Sequence, residues 1–594
     1  MNKKSIIALV SIAVLGFIVY GNSLNGPFIW DDEVLVRDNV YIRSYTHLKS
    51  VFTKDIAEGS GKNYGFYRPF QMLTYMFDHA LWKLNPRGYH LSNILLHILA
   101  GLAVFWLVSL LWDDFITSYL ASLFFIVHPL HTEAVTYISG RSDSLSLLFM
   151  LLSIIFYIKN SSAKNTKFYV LMLLSYVFAL LSRENVLVLP LLLLLYHYSF
   201  QKKLHKKEFF TISGLALVYI TLRFTLFHFL LAHLAVETTL AQRIPGFFAA
   251  FFSYLKLIVL PFDLHMEYTD KLFSWQDPKV LAGITMMVAA FVYAFRVRKR
   301  DKFNFFCVAW FMITLLPQAN LYPINAYMAE HWLYVPSIGF FLIIARELSV
   351  LFAAKKGRFI AIPMAIAFLV FYSSLTIRQN HYWNSPVIFY KTILEYSMDS
   401  AKTYNNLGER YLRDGQIDKA LGAFKKAIDL NPDYAEVYNN LGNVYYASGR
   451  FEDAITSFNR AIDKKPAYAK AYYNLGRAYQ QIGRDKAARD SYNKALSLNP
   501  NYINAYINLG FLYFKSRDYD QAIAALKAAI KVDPGCVSAY NNLGNIYNHL
   551  GNTDQAIAAY EKAAKLKPAD EKTREGLENI RLWQEEDDTY PRTD

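Results

Sequence analysis

Eleven apolar runs follow one another between Ser5 and about Leu375, most of them near the length of a bilayer-spanning helix. A backbone placed in lipid has no water to bond with, so such runs must satisfy their own N–H and C=O groups as helices. They lie at 5–21, 91–111, 115–136, 144–158, 168–182, 186–200, 209–231, 279–295, 303–317, 333–350 and 359–376. The first follows Asn2-Lys3-Lys4 like a secretory signal. It is long, however, and Tyr20-Gly21-Asn22-Ser23 makes a poor cleavage site, so it is expected to remain as an uncleaved span. With 54% hydrophobic and 19% charged residues, a disordered chain is excluded. Two cysteines, Cys307 and Cys536, exclude a disulfide framework or a thiolate metal site.

The net charge of +14 gathers in short clusters between the runs, which is a topology signal and not a nucleic-acid-binding one. The clusters are Lys159 to Lys167, Gln201 to Lys207, Arg296 to Lys302 and Lys355 to Arg358. Eleven spans put all of them, with Lys3 and Lys4, on the cytoplasmic face and send the C-terminus to the outer side. The stretch Phe247 to Leu260 must then not cross. It is short, carries Lys256 and stops at Pro261, as suits a re-entrant or interfacial helix.

After Trp383 the pattern changes. Leu-Gly recurs at 407, 441, 475, 509 and 543, and Pro at 432, 466, 500, 534 and 568, both with a period of 34. Tyr at 404, 438, 472, 506 and 540 and Ala at 420, 454, 488, 522 and 556 keep the same step. This is the tetratricopeptide pattern, which predicts five stacked helical hairpins with a concave inner surface. The expected organisation is therefore all-α: a membrane domain over 1–384, a linker over 385–400, five repeats over 401–568, and a capping helix with a polar tail over 569–594.

Charged residues in the predicted outer loops are candidates for chemistry. Asp31-Asp32-Glu33 follows the first span; adjacent carboxylates there can act as a general base or hold a divalent cation. The next outer loop carries His128, His131 and Glu133, then Arg141 and Asp143. The His128/His131/Glu133 spacing is not the two-histidine zinc motif, and hydrogen-bonding roles are favoured over metal ligation. Arg183, Glu184, Glu330 and His331 lie at outer ends, and Arg223 in the outer half of its span. An arginine at that depth needs a counter-charge, for which a carboxylate and a lipid phosphate are equally suited. Ionisable groups collected at one depth suit a catalytic surface better than a transporter, which places them near the midplane.

These residues carry a resemblance. Asp31-Asp32 with Asn39, Tyr67-Arg68-Pro69-Phe70, Asn85-Pro86, His90 to His97, His128-Pro-Leu-His131-Thr-Glu133 and Ser139-Gly-Arg141-Ser-Asp143 are similar to motifs of the transmembrane and tetratricopeptide protein O-mannosyltransferases. So are Ser182-Arg183-Glu184, Pro317 to Asn320 and Ala329-Glu330-His331-Trp-Leu-Tyr334. The resemblance covers nearly the whole chain. It implies a GT-C membrane fold that moves a sugar, mannose above all, from a polyprenyl-phosphate donor to Ser or Thr hydroxyls of proteins. It makes Asp31 the catalytic base beside Asp32. It places Arg68, His128, His131, Glu133, Arg141, Asp143, Arg183, Glu184, Arg223, Glu330 and His331 around the substrates. Two positions depart from the family: His331 stands where Arg is usual, and Arg183 where Lys is common.

The chemistry fits these residue types. A phosphate leaving group already activates the sugar, so no nucleotide-binding glycine loop is needed. One carboxylate can take the acceptor proton, and cations stabilise the departing phosphate. Whether a divalent cation takes part is left open. Asn406, Asn440, Asn474, Asn508 and Asn542, at the sixth position of each repeat, share one helix face and are expected to bind an acceptor protein or peptide. The expected location is a bacterial or archaeal cell membrane, or the endoplasmic reticulum of a eukaryote, with the repeats on the outer side. Two alternatives remain: a transferase acting on glycans or lipids, and a non-catalytic membrane-anchored scaffold.

Overall fold

The computed structural model describes residues 3–225, 239–268, 272–320 and 326–589. Among these residues every regular element is helical. The chain divides into two compact units, Met1–Ile42 with Leu48–Glu58 and Lys62–Met398, and Arg43–His47 with Gly59–Gly61 and Asp399–Asp594.

Each of the eleven apolar runs coincides with a helix, except that the end of the run 209–231 lies outside the described residues. Six are long and apolar enough to cross a membrane alone: Lys3–Asn25, Pro86–Trp112, Ile138–Ser162, Lys206–Thr225, Pro278–Val297 and Arg358–Asn384. A seventh is a pair, Phe115–Val127 and Pro129–Val135, bent by 58°. The run 115–136 is thus broken and not continuous. Pro129 has no N–H to continue the ladder and forces the residue before it out of helical geometry; His128 is accordingly extended, at φ −77 and ψ 128. Thr166–Ser182 and Glu184–Phe200 are shorter apolar helices. Phe247 to Leu260 forms the body of a 20-residue helix, Leu240–Val259, with Pro245 near its start.

Helix starts are set by side chains that take the unpaired first N–H groups. Asn85 accepts from Arg87 N–H, Asp114 from Ile116 and Thr117, and Asp277 from Lys279. One continuous core runs from Ala8 through Phe124, Leu151 and Leu193 to Tyr372. The segment read as a linker is largely a helix, Pro386–Tyr396, started by Ser385 and Pro386 and burying Phe389 and Ile393. It lacks the 34-residue pattern that marks the repeat helices.

The second unit has ten repeat helices, from Ala401–Arg413 to Thr553–Leu566, followed by Glu571–Thr589. Residues 590–594 of the expected tail lie outside the described residues. The period follows from packing. Ala420, Ala454, Ala488, Ala522 and Ala556 are all fully buried. A Cβ on Gly408, Gly442, Gly476, Gly510 or Gly544 would come within 2.5 to 2.9 Å of Phe424, Phe458, Tyr492, Leu526 or Tyr560 respectively. Only glycine lets the hairpin close over those side chains.

The turn inside each hairpin needs a left-handed residue, and Gly415, Gly449, Gly483 and Gly551 supply it at φ +72 to +74. In the fourth repeat the same position is Arg517, at φ +62. A non-glycine residue there costs roughly 1–2 kcal/mol. Arg517→Gly should therefore raise the stability of the repeats by about 1 kcal/mol, read as a higher urea midpoint at unchanged m-value.

Candidate functional site: an aspartate and three arginines joined by one segment

The acidic pair lies beyond the first apolar helix, at a strained turn. Trp30 has φ +55, a conformation that a large side chain adopts at a cost. Its ring is held by Phe389 and Tyr390, at centroid distances of 5.8 and 5.9 Å. The two aspartates that follow meet different surroundings. Asp32 is fully buried. Its Oδ1 accepts from the N–H and Oγ of Ser139 at 2.7 and 2.6 Å, and its Oδ2 from Ile29 N–H at 3.2 Å. Burial pushes this carboxyl up to about 7, against the pull of those three donors. Asp31 is half-buried. Its Oδ1 accepts from the Tyr64 hydroxyl at 3.0 Å, and its N–H donates to Tyr137 Oη at 3.0 Å. Asp32 is a structural bracket, and Asp31 is the carboxylate with an accessible edge.

Ser139 opens a segment that links the pair to the cations. Gly140 packs so closely on the backbone of Glu133 that a Cβ would strike its carbonyl oxygen. Arg141 is fully buried and pairs with Asp78 at 2.6 Å. It also donates to Asn93 Oδ1 at 2.7 Å and to the Tyr89 carbonyl at 3.0 Å. Arg141 is thus committed to the protein and not presented to a ligand. Ser142 and Asp143 face a cluster of arginines. Arg68 donates to Ser142 Oγ at 3.3 Å, and Arg183 pairs with Asp143. Glu184 lies between Arg68 at 3.5 Å and Arg223 at 3.1 Å.

The three arginine side chains are only 10 to 12% exposed, and two carboxylates, Asp143 and Glu184, face them. In direct contact, three guanidinium groups thus face two carboxylates. Among the described residues the buried Nε atoms of Arg68 and Arg223 have no hydrogen-bond partner. A nearly buried surplus of guanidinium charge suits a phosphate, which can accept several such donors at once.

Behind Arg183 lies a second row. Arg183 donates to His331 Nε2 at 2.9 Å, which places the ring proton on Nδ1, where it faces Glu133 Oε1 at 2.6 Å. Glu133 Oε2 also accepts from His331 N–H at 2.9 Å. The two positions that depart from the family pattern, Arg183 and His331, are thus in direct contact. Glu330 is buried and accepts from His265 N–H at 2.6 Å and Tyr268 Oη at 2.8 Å. Burial and the nearby Glu133 push its carboxyl well above the usual range.

His128 and His131 are fully buried, and both nitrogens of each are used by the protein. His128 bonds to Ile258 O and Leu130 N–H, and His131 to Phe125 O and Ser337 Oγ. They pin the bent helix pair to its neighbours. Among the described residues no three His, Cys, Asp or Glu side chains converge to hold a metal ion. Asp32 spends both oxygens on Ser139 and Ile29.

The asparagine series differs from its expected role at two positions. Asn440 and Asn474 are buried, and their Nδ2 groups donate to Asn405 and Asn439 of the preceding repeat at 2.9 Å. They bond repeat to repeat, because a polar side chain excluded from water must find a partner. Asn508 donates to Tyr492 Oη at 3.1 Å, and Asn406, Asn508 and Asn542 remain half-exposed.

Comparison with known proteins agrees with this organisation. The family model for the cilia and flagella-associated protein 70 C-terminal domain matches residues 390–587. The human protein O-mannosyl-transferase TMTC3 is 24% identical over 496 residues, covering 72% of this chain and 51% of that protein. Protein O-mannosyl-transferase F38B6.6 of Caenorhabditis elegans is 26% identical, covering 70% and 61%. Mouse protein O-mannosyl-transferase TMTC2 reaches 39% over 163 residues, covering 26% and 19%. The resemblance read from the sequence is borne out, over 70 to 72% of the chain and not nearly all of it. The chain spans about half the length of the TMTC3 relatives it matches. Among solved structures, MamA is 33% identical with a TM-score of 0.26, covering 27% of this chain and 95% of that one. YrrB, described as a TPR protein with an unusual peptide-binding site, is 23% identical with a TM-score of 0.27, covering 32% and 97%.

Sequence reasoning missed Tyr64, Tyr137, Ser139, Ser142 and Asp78 as members of the site. Asp78 had a signal, as the one carboxylate in the helix Pro69–Trp82. Tyr64 had none. The state of Asp32 gives a pH test. Its folded value near 7 exceeds the unfolded value near 3.8, so the folded chain binds the extra proton between them. Stability should therefore fall as pH rises from about 4 to about 7. Asp32→Asn should flatten that part of the thermal-unfolding profile.

Proposed function

We infer that the chain transfers a sugar, with mannose the first candidate, from a polyprenyl-phosphate donor to Ser or Thr hydroxyls of proteins on the outer face of a membrane. The observation that carries this reading is the linkage of one accessible carboxylate to a surplus of buried guanidinium charge through Ser139 to Asp143. Its relatives are named protein O-mannosyl-transferases, and six apolar helices suit a donor with a lipid tail.

The residues divide the reaction between them. Asp31 takes the proton of the acceptor hydroxyl as that oxygen attacks the anomeric carbon. The bond from that carbon to the phosphate oxygen breaks, and Arg68, Arg183 and Arg223 stabilise the charge left on the phosphate. Asp32, held by Ser139 and Ile29, fixes the turn that presents Asp31. Glu133 and His331 orient Arg183. The repeats bind the acceptor, with Asn406, Asn508 and Asn542 as the sixth-position residues still able to reach it.

The test is an assay of purified full-length protein with a panel of polyprenyl-phosphate sugars and membrane-protein extracts, with label counted separately in protein and lipid fractions. Label should enter protein, and Asp31→Asn should lower its transfer ~10²–10⁴-fold, the range for loss of a positioned general base, while donor binding persists. Label confined to lipid or glycan would move the acceptor class. Absence of transfer from every donor would favour the scaffold.

A further inference from the structure

The loop from Asp55 to Arg68 leads into the motif Tyr67-Arg68-Pro69-Phe70, and its own residues 55–66 carry no motif. Asp55 is 3% exposed and organises the loop through backbone contacts. Its Oδ1 accepts from Ala57 and Tyr64 N–H at 2.8 and 3.1 Å, and its Oδ2 from Phe66 N–H at 2.8 Å. A carboxylate gathering three N–H groups fixes the intervening chain as a turn does. Two side chains are placed by it. Arg68 reaches Ser142 and Glu184, and Tyr64 reaches Asp31 Oδ1.

We propose that Tyr64 is a positioning residue for the transfer reaction: its hydroxyl donates to Oδ1 of Asp31 and leaves Oδ2 as the oxygen that receives the acceptor proton. The inference rests on the transferase reading above, and adds a residue to it. Tyr137 holds the backbone of Asp31 and Tyr64 its side chain, so the carboxylate is restrained from two sides. Burial, and the charge of Asp31 itself, keep the Tyr64 phenol protonated and thus a donor. The groups that face Asp31 are Tyr64, Tyr137 and the neighbouring Asp32. Among the described residues Tyr64 is the one seen donating to its side chain. A hydrogen bond to one oxygen of a carboxylate lowers its basicity slightly but fixes which lone pair points outward. Orientation is worth more than the basicity lost when the proton must move along one line.

The experiment compares full-length wild type, Tyr64→Phe, Asp55→Asn and Asp31→Asn in the same membrane preparation, with a labelled polyprenyl-phosphate sugar and a protein acceptor. Tyr64→Phe removes one oxygen and keeps the ring. It should lower kcat about 10-fold, the effect of one hydrogen bond to a charged group, with donor KM within about twofold. The acidic limb of its kcat/KM profile should move to higher pH, since a carboxylate that loses a donor becomes more basic. Asp55→Asn, which loosens the loop, should change kcat and the acidic limb in the same direction. A merely structural Tyr64 would change thermal stability and leave the limb in place. Wild-type kcat and an unmoved limb in Tyr64→Phe, with Asp31→Asn inactive, would overturn this inference and leave the transferase reading intact. Full activity in Asp31→Asn would overturn that reading as well.

Discussion

The buried pair between Arg141 and Asp78 is the interaction on which the polar half of the first unit depends. A guanidinium with no exposure is tolerable only if it is paired and hydrogen-bonded, and Asp78, Asn93, Tyr89 and Thr74 meet that need from two other helices. Removing one member of such a pair costs about 3–5 kcal/mol, because the other is left charged and dry. The pair does more than hold helices together. It fixes Arg141 at the start of its helix, so Ser139 on one side and Ser142 and Asp143 on the other are carried to set positions. Asp32 is anchored through the first, and Arg68 and Arg183 through the others. Acid and cations therefore hold their relative places through five consecutive residues.

The same constraint separates structural charges from available ones. Asp32, Arg141, His128 and His131 have their polar atoms engaged within the protein. Asp31 is half-buried, and among the described residues the Nε atoms of Arg68 and Arg223 meet no acceptor. The fork of Arg183 meets both His331 and Asp143, which the single ammonium of a lysine would not do in the same way.

Much of this was legible in the sequence, and for physical reasons. Lipid and a 34-residue packing repeat both impose strict periods, so the apolar helices and the hairpins could be read directly; Gly442 beneath Phe458 and Ala454 at zero exposure are the repeat written in atoms. The charged residues were found because charge near apolar runs is rare. Their division into roles was not legible, since sequence spacing does not say which of two adjacent aspartates is buried. Nor could it show that Asn440 and Asn474 turn inward to the preceding repeat, because a position on the same helix face is half-exposed in one repeat and covered in another. The break at His128-Pro129 was present in the sequence as a proline. Tyr64 was beyond reach, because its contact with Asp31 spans 33 residues through a loop organised by Asp55.

In the proposed reaction the arginine cluster would receive the phosphate of a lipid-linked donor. The most direct measurement is equilibrium binding of a polyprenyl phosphate, and of the same polyprenol without phosphate, to detergent-purified full-length protein and to Arg183→Gln. The account predicts that wild type binds the phosphate form at least about 10-fold more tightly, as expected for charge-assisted contacts, and that Arg183→Gln loses that preference while remaining folded. Equal affinity of wild type for the two lipids would contradict it.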